Sequence, residues 1–234
     1  MISFSSLILE RQIFEIRYDP SFLYYDNTGK LATDLVKKFP KLKQRDINVS
    51  NSQFEWADEG ILLNFSHLKA DVMEDFPEKS EPFREICGEI STLVARHFEI
   101  SSFTRAGVRL QFVLPAKDEL GARELVRATS LVSVDQESLI AFGKEVMEVQ
   151  LVLRVEDEDR GATLRVGNMK REFATNLPRP FPIDKKLFHP YVLVLDLDNY
   201  TKKLIDVGDF SAPDFIRKAG KAAEGNLLTF ARLG

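Results

Sequence analysis

Hydrophobic and polar positions alternate with two different periods along this chain, and the period changes mark its elements. Phe14, Ile16 and Tyr18 share one face and Glu15 and Arg17 the other. That period of two predicts a half-buried strand, which Asp19-Pro20 ends. Leu31, Leu35 and Phe39 then form a helical stripe over 29–39, stopped by Pro40, and a polar loop is expected over 41–51. Residues 52–56 and 60–65 read as a hairpin turning at Asp58-Glu59-Gly60, with a third short strand at 69–74. Ser80 is a natural N-cap and Pro82 fits the first turn of a helix. Phe83, Ile86, Cys87, Ile90, Leu93, Val94 and Phe98 recur at steps of three and four, the clearest periodicity in the sequence.

The second half reads in a similar order. Val108, Leu110, Phe112 and Leu114 predict a strand over 107–114. Helical patterns cover 117–128 and 134–142. A long strand is expected over 144–155, a turn at Asp157-Glu158-Asp159-Arg160-Gly161, and a returning strand over 162–173. Residues 174–190 contain Pro178, Pro180 and Pro182 and show no period, which predicts an extended path. So long an irregular connection is a second candidate for function, beside the plainer reading of a surface crossover. Residues 191–198 predict a buried strand, paired through a turn at Asn199-Tyr200 with 202–207. Ser211 and Asp214 form a capping box for a last helix.

Phe83, Gly88 and Phe98 fall in register with Phe215, Gly220 and Phe230. Together with the element order, this predicts an α+β fold of two tandem β-α-β-β-(β)-α repeats, 1–100 and 101–234. The repeats would form one largely antiparallel sheet with the helices packed on one face. This order is similar to that of the saddle-shaped, pseudo-twofold TATA-box-binding-protein-like folds; the likeness is one of architecture and carries no function.

The net charge is −4 and neither half carries a basic excess, which argues against nucleic acid as partner. No apolar run approaches the ~20 residues that span a bilayer, and the first residues lack the basic and apolar regions of a signal peptide. A cytoplasmic protein is expected, without membrane association. The single cysteine, Cys87, excludes an internal disulfide and sits on the apolar stripe as a small buried hydrophobe.

If the apolar strand faces meet the helices, the opposite sheet face carries Arg17, Arg109, Arg154, Arg165, Asp196 and Asp198. Arginine pairs carboxylates and phosphates bidentately, so these six residues are candidates for binding a ligand or partner. The plain alternative is a solvated face laced with cross-strand ion pairs. Asp196 and Asp198 stand about 7 Å apart on one side of a strand, but no histidine of the three accompanies them in ligand spacing. No phosphate-binding glycine loop, nucleophile elbow or metalloprotease motif occurs. No metal, no cofactor and no catalytic residue is expected.

Several strings resemble a sporadically distributed bacterial protein family of unknown function and similar length. They are Phe14-Glu15-Ile16-Arg17-Tyr18, a helix closing on Phe39-Pro40, the Arg105-x-Gly107-x-Arg109 core, the Asp196-x-Asp198 strand and a terminal helix ending in Phe230. The chain departs from that pattern at Leu110-Gln111-Phe112. The resemblance implies a soluble bacterial or phage-related protein and no particular activity. The residues favour an interaction or ligand-binding protein whose partner is a protein or a small polar ligand, with homo-oligomerisation open. The alternative is an enzyme acting on a small anionic substrate through the Arg/Asp face.

Overall fold

The computed structural model describes residues 6–77, 81–129, 148, 150–171 and 189–231. The helical pattern at 134–142, the start of the strand expected from 144, nearly all of the proline-containing stretch 174–190 and the Phe230 side chain lie outside the described residues. Within them the chain is mixed α+β, with nine strands in one sheet and every pairing antiparallel.

The elements are β1 (Ile8–Arg17), α1 (Leu23–Lys38), β2 (Lys43–Ile47), β3 (Ser52–Trp56), β4 (Ile61–Phe65), β5 (Lys69–Asp75) and α2 (Glu81–Phe98). Then come β6 (Ser102–Phe103), β7 (Arg105–Pro115), α3 (Glu119–Ala128), β8 (Gln150–Glu156), β9 (Arg160–Lys170), β10 (Tyr191–Thr201), β11 (Ile205–Asp206) and α4 (Ala212–Ala231). The large sheet runs β2-β3-β4-β5-β1-β7-β10-β9-β8. Read outward from the central β1–β7 pair, each side meets its last long strand first and then steps back through the sequence.

Alternation explains this sheet. Phe14 stands opposite Val72 and Val108, and Leu195 opposite Phe112 and Val166, so one face is a continuous apolar surface. α1, α2, α3 and α4 cover it, α3 lying over β9 and β10. Tyr24 of α1 meets Phe65 and Phe98, and Phe65 stacks on Phe54 at 5.8 Å. Phe210, just before α4, stacks on Phe14 at 6.3 Å and meets Phe103 at 5.4 Å. The C-terminal helix is thereby tied to the first strand, and β11 pairs with β6 beneath the same seam. Each fully buried aromatic contributes on the order of 2–3 kcal/mol.

Four local expectations are corrected. The helix expected from residue 29 begins at Leu23, because Tyr24 and Thr28 extend the buried stripe backward. The polar loop 41–51 contains β2, which is exposed throughout and so leaves no alternation to read. Asn199-Tyr200 is no turn: β10 continues to Thr201, and 205–206 pairs with β6 instead. Finally, α4 buries Ala212, Ile216, Ala219 and Ala223, the spacing of Phe83, Cys87, Ile90 and Val94. Burial therefore sets Phe83 against Ala212, not Phe215. α2 and α4 do lie in contact on one face, as the element order requires.

Cys87 is fully buried, and desolvation raises its thiol well above the ordinary range. Beside it lies a polar intrusion into the apolar face. Glu74 of β5 is 1% exposed and accepts a hydrogen bond from Gln12 of β1. Burial pushes its carboxyl up to about 7, and the nearby Glu59 adds to the shift. An acid whose folded pKa exceeds its unfolded one binds more protons when folded. Its contribution to stability is then greatest below about pH 4.5 and is lost as pH rises toward about 7. Glu74→Gln should accordingly stabilise the chain by about 2 kcal/mol at pH 8 and by little at pH 4.5. Urea melts of both proteins at the two pH values measure this; an equal difference at both would show that Glu74 is ionised throughout.

Candidate functional site

The sheet face away from the helices carries charge along almost its whole width. Because register fixes which residues stand opposite, it can be followed strand by strand. One transverse row runs Gln53, Asn64, Asp71, Glu15, Gly107, Tyr200, Gly161, Glu156. Its first members are chained by hydrogen bonds, Gln53 donating to Asn64 at 2.8 Å and Asn64 to Asp71 at 2.8 Å. Lys69 continues the chain, 2.9 Å from Asp71 and 3.4 Å from Glu15.

Arg105 is the centre of this face. Its guanidinium donates to Glu15 at 2.6 Å and to Asp198 at 3.0 Å, and lies over the Tyr200 ring at 4.8 Å. Two glycines on either side of Tyr200 make room. A Cβ on Gly161 would overlap the tyrosine ring, and one on Gly107 would come 3.2 Å from the Arg105 guanidinium. Gly107 therefore lets Arg105 lie flat along the sheet, and Gly161 lets Tyr200 lie across β9. At the far edge Tyr200 donates to Glu156 at 2.7 Å, which also receives Arg154. That pairing holds the Glu156 carboxyl down at about 2.

All six residues expected from sequence stand on this face, but the structure divides them. Arg109 grips Asp196 through Nε at 2.7 Å and Nη2 at 2.5 Å, and Arg165 approaches the same carboxylate at 3.6 Å. Asp196 is buried, at 4% exposure, so this bidentate pair is structural. Arg17 instead uses only Nε toward Glu15, at 2.8 Å, and is half exposed. Arg154 belongs to the β8 edge and does not join the others. Sequence reasoning does not single out Arg105, Lys69, Asp71, Glu15 or Tyr200 as site residues. The alternation of Glu15 with Arg17 is a visible signal, whereas the glycine–tyrosine fit needs the register.

Ile13, Glu15, Arg17, Lys69, Asp71, Arg105, Gly107, Arg109 and Asp198 line a depression of about 310 Å³. Burial pushes the Glu15 carboxyl upward, but the hydrogen bond from Arg17 and the charges of Arg17, Lys69 and Arg105 prevail and hold it below its ordinary range. Burial leaves Asp198 above its own, against the pull of Arg105 and Arg109. Among the described residues the lining contains four cations and three carboxylates, and no histidine, cysteine or hydroxyl nucleophile. Among the described residues no three His, Cys, Asp or Glu side chains gather to hold a metal, and no helix is long and apolar enough to cross a membrane.

No family model matches the chain, and no curated protein matches it.

The division of the arginines gives a measurable contrast. Arg109→Ala strands the buried Asp196 carboxylate and should cost about 1–3 kcal/mol, with Arg165 compensating in part. Arg17→Ala should cost under about 1 kcal/mol. Thermal and urea melts of the two variants check this, and equal losses would refute the assignment of Arg109 as structural.

Proposed function

We propose that this chain is a binding module whose open sheet face takes up an anionic group, a carboxylate or phosphate, presented by a protein partner or a small polar ligand. The observation that carries the reading is the arrangement around Glu15. Arg17, Lys69 and Arg105 converge there from β1, β5 and β7, with the Glu15 carboxylate between them. Arg105 is held by two carboxylates and a ring, while Arg17 is half exposed and engages Glu15 through Nε alone. An incoming anion can thus gain charge-assisted hydrogen bonds from Arg17 without breaking the network beneath. The strand order about β1–β7 supports reading the two halves as tandem copies, which would place this depression near their junction.

The test uses a short glutamate-rich peptide and, separately, inorganic phosphate, titrated calorimetrically at low salt. The peptide should bind with an affinity that falls as salt rises. Arg17→Ala should weaken it about tenfold at unchanged melting temperature, the loss of about 1–2 kcal/mol of charge-assisted bonding. Binding by neither probe, or an affinity indifferent to Arg17, would remove this face as the site.

A further inference from the structure

The described strands leave the sheet two edges, β2 and β8, and they are built differently. β2 is short, polar and bent by a register shift between Gln44 and Asp46, with Lys43 and Arg45 along it. These are the features by which proteins discourage another strand from adding to an edge. β8 is built otherwise, although it carries Arg154 and Glu156. It pairs with β9 over seven residues without a shift, contains no lysine and no proline, and no described strand covers its other side. Val152 is 58% exposed, Leu153 37% and Val155 69%, so apolar side chains stand free on both faces of this one strand. An edge strand without a register shift, with exposed apolar side chains and no described partner, is a template for strand addition.

We propose that β8 pairs antiparallel with β8 of a second copy of this chain, about a two-fold axis through Leu153, so that two nine-stranded sheets become one. The occupant follows from the self-complementarity of the strand. Centring the axis on Leu153 pairs all seven residues of β8 with the second copy. On the helix-bearing face Leu153 meets its own counterpart and Leu151 meets Val155. On the open face Val152 meets the Arg154 stem, and Gln150 meets Glu156 as hydrogen-bond donor. No like charges stand opposite. Centring on Arg154 would set two guanidinium groups face to face, and centring on Val155 would set Leu153 against Asp157. A closed two-fold contact of this kind ends growth at the dimer, because it consumes the open edge and leaves the guarded β2 outside. The open face with Arg17 stays free, so the dimer does not depend on the anion-binding reading.

Sedimentation velocity over a wide concentration range tests this. The wild-type chain should dimerise, and the double variant Val152→Lys, Val155→Lys should raise the dissociation constant tenfold or more while its circular dichroism and melting temperature stay near wild type. A second measurement fixes the register. Leu153→Cys should form an intermolecular disulfide under mild oxidation, since the axis brings the two positions within bonding reach. Val155→Cys should not, because the register holds it about 13 Å along the strand from its own counterpart. Cys87, being buried, does not compete. A monomer at every concentration, a dimer whose constant ignores the two lysines, or linkage at Val155→Cys in place of Leu153→Cys would each overturn the proposal.

Discussion

The pairing of β1 with β7 is the constraint from which the rest of the molecule follows. These two strands run antiparallel from Ile8 opposite Val113 to Arg17 opposite Arg105 and are, among the described strands, the pairing that joins the two sides of the sheet. Their register decides which residues share a face. It sets Phe14 beside Val108 under the helices, and it brings Glu15 and Arg105 together on the other side. A shift of one residue would turn the aromatic seam outward and the charges inward.

From that pairing the two faces acquire opposite characters. The helix-bearing face is closed by aromatic contacts, with Phe210 joining β1 to the C-terminal helix. The other face stays open and holds its charge in check by pairing almost every cation with a carboxylate. Such a face gains little stability from its ion pairs, since exposed pairs contribute under about 1 kcal/mol each. What it gains is order: Arg105 is pinned by Glu15, Asp198 and Tyr200, and Arg109 by Asp196. Against this fixed background the half-exposed Arg17, beside Lys69 and Arg105, has donors to offer, which is why the proposed binding centres there. The proposed binding depends on preorganisation more than on the number of charges.

Much of this was legible in the sequence, and the limits have physical causes. Strands and helices with one buried face announced themselves by period, as in Phe14-Ile16-Tyr18 and the α2 stripe. β2 was not legible, because an edge strand exposed on both sides buries nothing and alternates nothing. Tyr200 read as part of a turn because its neighbours are polar; only the register shows it lying between Gly107 and Gly161. The six candidate residues were assigned to the right face by alternation alone. Alternation is silent on depth, however, so it could not separate the Arg109–Asp196 pair, one partner buried, from the exposed Arg17. The repeated phenylalanines marked two similar helices but misjudged their alignment, since burial follows Ala212 and Ile216 and leaves Phe215 to pack against Phe210.

If β1–β7 joins both sides into one cooperative sheet, its amides should open only when the whole chain unfolds. Native-state hydrogen exchange measures this directly. The account predicts that amides of β1 and β7 are the slowest to exchange and that their opening free energies match global unfolding within about 1 kcal/mol, as do those of β5 and β10 beside them. Faster exchange in β1 and β7 than in the strands on either side, with the two sides opening independently, would contradict it.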